Sequence, residues 1–329
     1  MEFWIDVIIN VLFAIISVLL LLLVVAYSTL LERKFLGDFQ LRLGPNRAGP
    51  FGIWQPLADG LKAFFKEDVI PERADKVVFV LAPMISFITA LGIIAIIPFA
   101  DKITIFGREV KLIVSDIDIS ILYVFALAAL GSYGCLLGGY SSYNKYSIFG
   151  AMRTSALLIS YEIPFVLLIM SIVLVNGTLS FSGIVEAQSH LWNIVRQPVA
   201  FFLAIVCALA EINRTPFDMP ETESELACGF NVEYSSMKFS MFFMAEYAHL
   251  FTISAILTTL FLGGWKGPLL PPIVWFLLKT FAFMFFFIWE RATYPRFRID
   301  QIMHFGWKVL LPLSLANLLV TAVVLAIIG

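Results

Sequence analysis

Between Glu211 and Lys238 the chain reads EINRTPFDMPETESELACGFNVEYSSMK, setting Glu211, Asp218, Glu221, Glu223, Glu225 and Glu233 against only Arg214 and Lys238. Clustered carboxylates raise one another's pKa, exchange protons, and repel or rearrange when a nearby charge changes. That is chemistry for a proton relay or for a response to charge. A solvated acidic loop is the other reading, and on these residues alone both stand. Asp218 and Glu221 have the D-x-x-E spacing of a helix start, and Pro220 suits a first turn. A helix running on from there would set Asp218, Glu221 and Glu225 on one face and Glu223 elsewhere. Capping and the helix dipole account for two of these acids and do not call for all of them.

Two more acids sit inside apolar runs. Glu162, in SYEIP, lies at the middle of the run from Gly150 to Val175. A charge at the centre of a bilayer costs from about 2.5 to well over 10 kcal/mol, so an acid there faces the bundle interior or water. Pro164 has no N–H for the carbonyl of Ser160, which leaves a freed acceptor beside the acid. The site reads either as a proton or cation relay or as a structural acid bonded to a neighbouring helix. Glu246 follows the apolar run MFFMA, roughly 10 Å below the start of its span at about 1.5 Å per residue, with Tyr247 and His249 nearby. With Glu211 at the same surface, these acids form a descending series towards Glu162 if their helices adjoin. A last charged stretch, ERATYPRFRIDQ, brings Glu290, Arg291, Arg296, Arg298 and Asp300 together with Tyr294 and Phe297 between them. It suits docking of an acidic partner or gating of a headgroup, and loop charge bias alone also explains its arginines.

The elements that must position these residues are membrane spans. The chain is 60% hydrophobic and 14% charged, with a mean hydropathy of +0.92, which a soluble domain does not show. Eight stretches approach the length of a spanning helix, at roughly 4–31, 76–100, 119–141, 150–175, 198–213, 239–263, 272–291 and 306–328. The expected fold is an all-α polytopic membrane protein, a single membrane domain over 1–329. Bases crowd the odd-numbered connections, from Arg33, Lys34, Arg42, Arg47, Lys62 and Lys66 after the first span to Arg291, Arg296, Arg298 and Lys308 after the seventh. By the positive-inside rule those loops are cytoplasmic and both termini lie outside, so 211–238 is an acidic cytoplasmic loop. In the first loop, Trp54, Leu57, Ala58, Leu61, Phe64 and Phe65 share one helical face while Asp59, Lys62 and Lys66 fall elsewhere. This predicts an amphipathic helix over 54–67 lying in the interface, either as a lipid anchor or at the mouth of a lipophilic-substrate site. Gly134 and Gly138 have the GxxxG spacing of close helix packing.

Several classes drop out. Cys135, Cys207 and Cys228 are scattered, without CxxC spacing or His in ligand pattern, so no disulfide framework, metal site or iron–sulfur cluster is expected from this chain alone. A net charge of −2 offers no basic field for nucleic acid. The chain has no P-loop, GxGxxG, GxSxG or HExxH. No Lys or Arg precedes Arg33, so the basic region of a removable signal peptide is missing and the first apolar segment is expected to stay.

Four stretches, ERKFLGDFQLRLGPNRAGPFG with QPLADGLKAFFKED, NKYSIFGAMRTSALLISYE, AEINRTPFDMPETESELACGFNVEYSSMKFSMFFMAEY and RATYPRFRIDQ, together resemble the family of the H subunit of bacterial NADH-quinone oxidoreductase, known as subunit 1 in mitochondrial respiratory complex I. The resemblance runs over essentially the whole chain. It implies a non-redox-centre subunit of a proton-pumping translocase in the bacterial cell inner membrane, seated where the peripheral arm meets the membrane arm. Quinone is the implied substrate, entering a chamber bounded by the first helix, the interfacial helix and the sixth helix. Iron–sulfur clusters, FMN and NADH belong to partner subunits, and none is bound by this chain. Other partners would be the quinone-module subunits of the peripheral arm, small membrane subunits and the lipid bilayer. Carried over by motif, Arg33, Gln40, Arg42, Arg47, Trp54, Asp59 and Lys62 belong to the chamber or its docking surface, with Arg291, Arg296 and Arg298 near its other wall. Glu162, Glu211, Asp218, Glu221, Glu223, Glu225 and Glu246 belong to the acidic path that carries proton coupling into the membrane. The third span departs from some relatives, with Gly131 and Ser132 and no acid. Rival readings are the corresponding subunit of a membrane-bound hydrogenase, a stand-alone cation or proton antiporter using Glu162 and Glu246, and a structural anchor.

Overall fold

A computed structural model describes residues 2–105, 108–219 and 223–328, and the side chains of 11–101, 112–219 and 225–327. Glu221 and the side chain of Glu223 lie outside these. Among the described residues seven helical stretches are long and apolar enough to cross a bilayer. They are α1 (Glu2–Phe39), α3 (Lys76–Ile94), α4 (Ser120–Ser141), α5 (Lys145–Asn176), α10 (Ser236–Phe261), α11 (Pro272–Thr293) and the pair α12 (Ile299–Phe305) and α13 (Leu311–Ile328), joined through a π-helical turn at Gly306–Leu310. The eighth expected span is α8 (Pro198–Glu211), whose 14 residues cover about 21 Å at about 1.5 Å each. Two short helices, α6 (Phe181–Ala187) and α7 (Asn193–Arg196), precede it. The chain is therefore an all-α polytopic membrane protein in architecture.

Local signals explain the boundaries. The Asp75 side chain accepts from the amides of Val77 and Val78 and so starts α3. Asn144 does the same for α5 by accepting from the Tyr146 amide, so that helix starts at Lys145 and not at 150. Gly177, at φ 70°, ends it in the left-handed region. The last helical run begins at Ile299, ahead of the expected 306, where the Gln301 side chain accepts from the Arg298 amide at 3.2 Å. One element departs from the all-helix expectation. β1 (Ala100–Ile105) and β2 (Arg108–Leu112) pair antiparallel, with Lys102 opposite Lys111 and Thr104 opposite Glu109. The alternating KITI and REVK patterns are those of strands and not of helices.

The helices pack around α10. Of its most apolar window 72% is buried, against 22% for α1 and 17% for the last helical run, so polar residues on α10 face protein and not lipid. α10 packs on α1, α3 and α11, and α5 packs on α4, α8 and α13. One apolar core joins Leu21, Ile94, Tyr161, Phe251, Phe276 and Phe287 across these helices. Two helices frame the first loop's contribution: α1 runs beyond the expected 31 to Phe39, and α2 (Gln55–Phe65) returns alongside it.

Candidate functional site

The first loop folds so that α2 can lie against α1. Gly49 and Gly52 both have positive φ, 74° and 76°. A Cβ on Gly49 would sit 1.9 Å from the Trp54 indole, and one on Gly52 would sit 2.1 Å from the carbonyl oxygen of Pro45. The loop therefore needs glycine at both positions. Trp54 packs over Gly49. Gln40 accepts from the Arg42 guanidinium at 2.8 Å, and Gln40, Arg42 and Arg47 all lie exposed on the loop.

Between α1, α2 and α10 runs a groove of about 600 Å³. Leu22, Val25 and Phe243 give it apolar walls, while Arg33, Asp59 and Lys62 give it charge. Arg33 donates to Asp59 at 2.6 Å, tying α1 to α2. The hydroxyl of Ser236 donates to the carbonyls of Ala63 and Lys66 at 3.0 and 2.9 Å, tying α2 to the start of α10. The polar side of α2 thus faces the groove, and Leu57, Leu61, Phe64 and Phe65 are exposed on the other side. Tyr234 also lines the groove, and burial pushes its phenol up to about 12.

Behind the groove is a buried charge cluster. Arg214, 1% exposed, donates to Glu32 at 2.5 Å and to Glu246 at 3.2 Å, and its guanidinium lies 4.7 Å from the Tyr247 ring centroid. Arg291 pairs with the second oxygen of Glu32. Burial opposes the charge on Arg214, yet Glu32 and Glu246 beside it hold its pKa above the ordinary arginine value. One ion cluster thereby joins α1, the fifth loop, α10 and α11. Glu246 is ten residues into α10, deeper than expected, because that helix starts at Ser236 and not at 239.

Glu246 also lines a second, smaller cavity of about 80 Å³ with Glu211, Asn213, Asn231, Ser86 and His249. Among the described residues, Glu211 Oε2 and Asn213 Oδ1 are buried without a hydrogen-bond partner. A polar cavity of this size has room for water. Glu162 stands outside its lining, but α5 packs on α8 and the charges of Glu162 and Glu211 interact. Glu246 and Glu211 thus share one cavity, while Glu162 lies on α5, which packs on α8.

The rest of the acidic loop is placed differently from the expectation. No helix starts at Asp218; α9 (Glu223–Leu226) is a single turn five residues later, so Asp218 and Glu225 share no helix face. Asp218 is instead engaged by Arg296 at 2.7 Å, and the Phe297 amide donates to the Pro216 carbonyl at 3.3 Å, which binds the fifth loop to the seventh. The Thr215–Pro216 bond is cis. Glu225 pairs with Arg153 at 2.6 Å, and Glu233 accepts from Asn144 at 2.7 Å, which binds the fifth loop to α5. Arg298 pairs only locally with Asp300, at 2.5 Å. Among the described residues no group of His, Cys, Asp and Glu is arranged to hold a metal ion.

The sequence reading did not select Glu32 or Arg214, the two most buried members of the cluster. A signal for Glu32 was present: Leu21, Val25, Ser28 and Glu32 recur at i, i+4, i+7 and i+11, and all four are buried.

Known proteins match this chain from end to end. The model of the NADH dehydrogenase family matches residues 12–322. The NADH-quinone oxidoreductase H subunit of Syntrophotalea carbinolica is 53% identical over 297 residues, 90% of this chain and 90% of that one. The first of the corresponding H subunits of Geobacter sulfurreducens is 49% identical over 93% of this chain and 92% of its own, and that of Dehalococcoides mccartyi is 50% identical over 98% and 87%. The chain belongs to the NADH dehydrogenase family, as a homologue of the membrane-embedded H subunit of NADH-quinone oxidoreductase, respiratory complex I.

Proposed function

We propose that the groove between α1, α2 and α10 is the quinone chamber of a proton-pumping NADH-quinone oxidoreductase, and that the acids behind it couple quinone reduction to proton translocation. The observation that carries this reading is the adjacency of two unlike features. An amphipathic groove able to take an isoprenoid quinone abuts, through α1 and α10, a buried cluster in which Glu32 and Glu246 share Arg214. This chain supplies binding and proton-handling groups and no redox centre; the electrons come from iron–sulfur clusters, and before them FMN and NADH, in partner subunits. Arg33, Asp59 and Lys62 contact the entering headgroup or the loops that close on it. Charge arriving with reduced quinone shifts the balance of the Glu32–Arg214–Glu246–Arg291 cluster, and Glu246, Glu211 and Glu162 relay protons through the small cavity. Gln40, Arg42 and Arg47, exposed on the first loop, belong to the surface on which the peripheral arm docks, in the cytoplasm of a bacterium, with α2 lying in the membrane interface.

The test uses the intact complex in two arms. A photoreactive quinone analogue should label α1, α2 or α10, in competition with quinone; labelling that misses all three would remove the chamber. Glu211→Gln and Glu246→Gln should leave the complex assembled and lower NADH-driven proton uptake or quinone reduction. Unchanged rates and pumping in both would remove the coupling role.

A further inference from the structure

At the end of α10 opposite the acidic loop, the helix carbonyls are closed by side chains from other elements. Gln188 donates to the carbonyl of Thr259 at 2.9 Å, and Asn193 donates to that of Leu260 at 2.8 Å. Lys279, in the interior of α11, closes the carbonyls of the turn that follows. Its Nζ lies 2.7, 3.0 and 2.6 Å from the carbonyl oxygens of Leu262, Gly264 and Lys266. It lies 4.6 Å from the ring centroid of Trp192 and 5.8 Å from that of Trp275. The side chain is 6% exposed, and no carboxylate pairs with it among the described residues.

Three carbonyl acceptors at these distances require three N–H hydrogens, which an ammonium has and a neutral amine does not. The cage is made of carbonyl dipoles and two π faces, all of which favour a cation. The protein thus holds a tethered positive charge with no counter-carboxylate among the described residues.

Between this charge and the buried acids the bundle is packed with apolar side chains. Leu262 is sixteen residues along from Glu246, about 24 Å at about 1.5 Å per residue. Phe251, Phe261, Phe276 and Phe287 fill the space and are fully buried. The hydroxyls on this part of α10 offer no continuous chain, because Thr252, Ser254, Thr258 and Thr259 each donate to a backbone carbonyl of their own helix. A helix cap needs donors only, and Gln188 and Asn193 show that amides suffice at this end. An immobilised cation does something more: it raises the electrostatic barrier to any proton or cation entering from that face, as fixed positive charges do in selective pores.

We propose that Lys279 is a fixed cationic plug that closes the end of the bundle remote from the acidic loop to protons and small cations, so that the buried acids exchange protons only with the opposite side. The proposal takes from the functional reading above only that Glu246 and Glu211 carry protons. The leak that decides it is measured without NADH or quinone, and turnover serves only to show that the variants are assembled, so the two readings fail separately.

The complex carrying Lys279→Met, Lys279→Gln or Lys279→Arg is reconstituted in liposomes, and the decay of an imposed pH difference is followed with a trapped dye. The expected result is a passive leak at least about threefold faster for K279M and K279Q, near wild type for K279R, with NADH:quinone reductase activity in detergent retained by all three. K279Q keeps two donors for the same carbonyls and carries the test if K279M does not assemble. Neutral variants as tight as wild type would overturn the proposal and leave Lys279 a helix cap. So would a K279R leak equal to that of K279M, which would place the seal in the fit of the side chain and not in its charge.

Discussion

Arg214 ties the fifth loop to α1 and α10 by charge, and its surroundings decide what its removal does. It is buried with Glu32 and Glu246 in contact and with Tyr247 beneath it, so no solvent is at hand to take over from it. Removing one partner of a buried pair costs about 3–5 kcal/mol, because the stranded charge stays desolvated. Arg214→Met should therefore lower the thermal inactivation midpoint of the assembled complex sharply. Glu246→Gln with Arg214→Met should recover part of the loss, since the carboxylate that Arg214 leaves stranded is then neutral, whereas Glu32 keeps Arg291. A double variant that loses as much as the sum of the singles would mean the two residues are not coupled. Of the site's residues, Arg33, Asp59 and Lys62 were legible in the sequence from motif and periodicity, and they do meet in one groove. Glu32 was passed over although its spacing with Leu21, Val25 and Ser28 was there to read, because beside Arg33 in ERKF it reads as the solvated end of an apolar run. Only the continuation of α1 to Phe39 turns it inward while Arg33 turns to the groove.

At the scale of elements, backbone contacts set what the cytoplasmic loops can do. A Cβ on Gly150 would sit 2.6 Å from the Cα of Gly229, and neither neighbour is a flexible side chain that could give way. Gly150→Val should push the fifth loop off α5 and loosen the Arg153–Glu225 and Asn144–Glu233 ties that flank the contact. The measurement is limited proteolysis within 219–235, which should quicken in the variant complex along with a loss of quinone reductase activity. A proteolysis rate equal to wild type would show that the loop does not need this contact. The GxxxG spacing of α4 does mark close packing, against two different partners. Gly134 lies against Ser86 and the Ala82 carbonyl of α3, whereas Gly138 lies against Phe242 and Tyr234. Because the Ala82 contact is backbone at 2.9 Å, Gly134→Ala should destabilise by about 1–3 kcal/mol, read as an earlier thermal inactivation of the complex. Asp218 and Met219 are not helical, and no local pattern foretells what holds Asp218: it pairs with Arg296, 78 residues away.

For the whole molecule, the two ends of the bundle carry opposite kinds of structure. At one end lie the groove, the buried ion cluster and the loops bound together by ion pairs; at the other lie the hairpin, the short helices α6 and α7 and the Lys279 cage. The spans, the short fifth one at 198–213 included, were legible because membrane-length apolar runs leave few alternatives, while the hairpin depends on how the connection between spans folds back. Orientation is the property that decides what each end meets, and charge is the guide to it: bases crowd the first and seventh loops, at the end with the groove. Leu41 and Leu269 are both fully solvent-exposed in the chain and lie at opposite ends of the bundle, in the first and sixth loops. In intact cells, a membrane-impermeant maleimide should label Leu269→Cys. Leu41→Cys should react only after the membrane is opened and the peripheral arm stripped away, since its loop is the proposed docking surface. The native thiols interfere little, because Cys207 is buried and Cys135 and Cys228 are only partly accessible. Labelling of Leu41→Cys from outside would reverse the orientation, and the acids and the fixed cation would then exchange the sides they face.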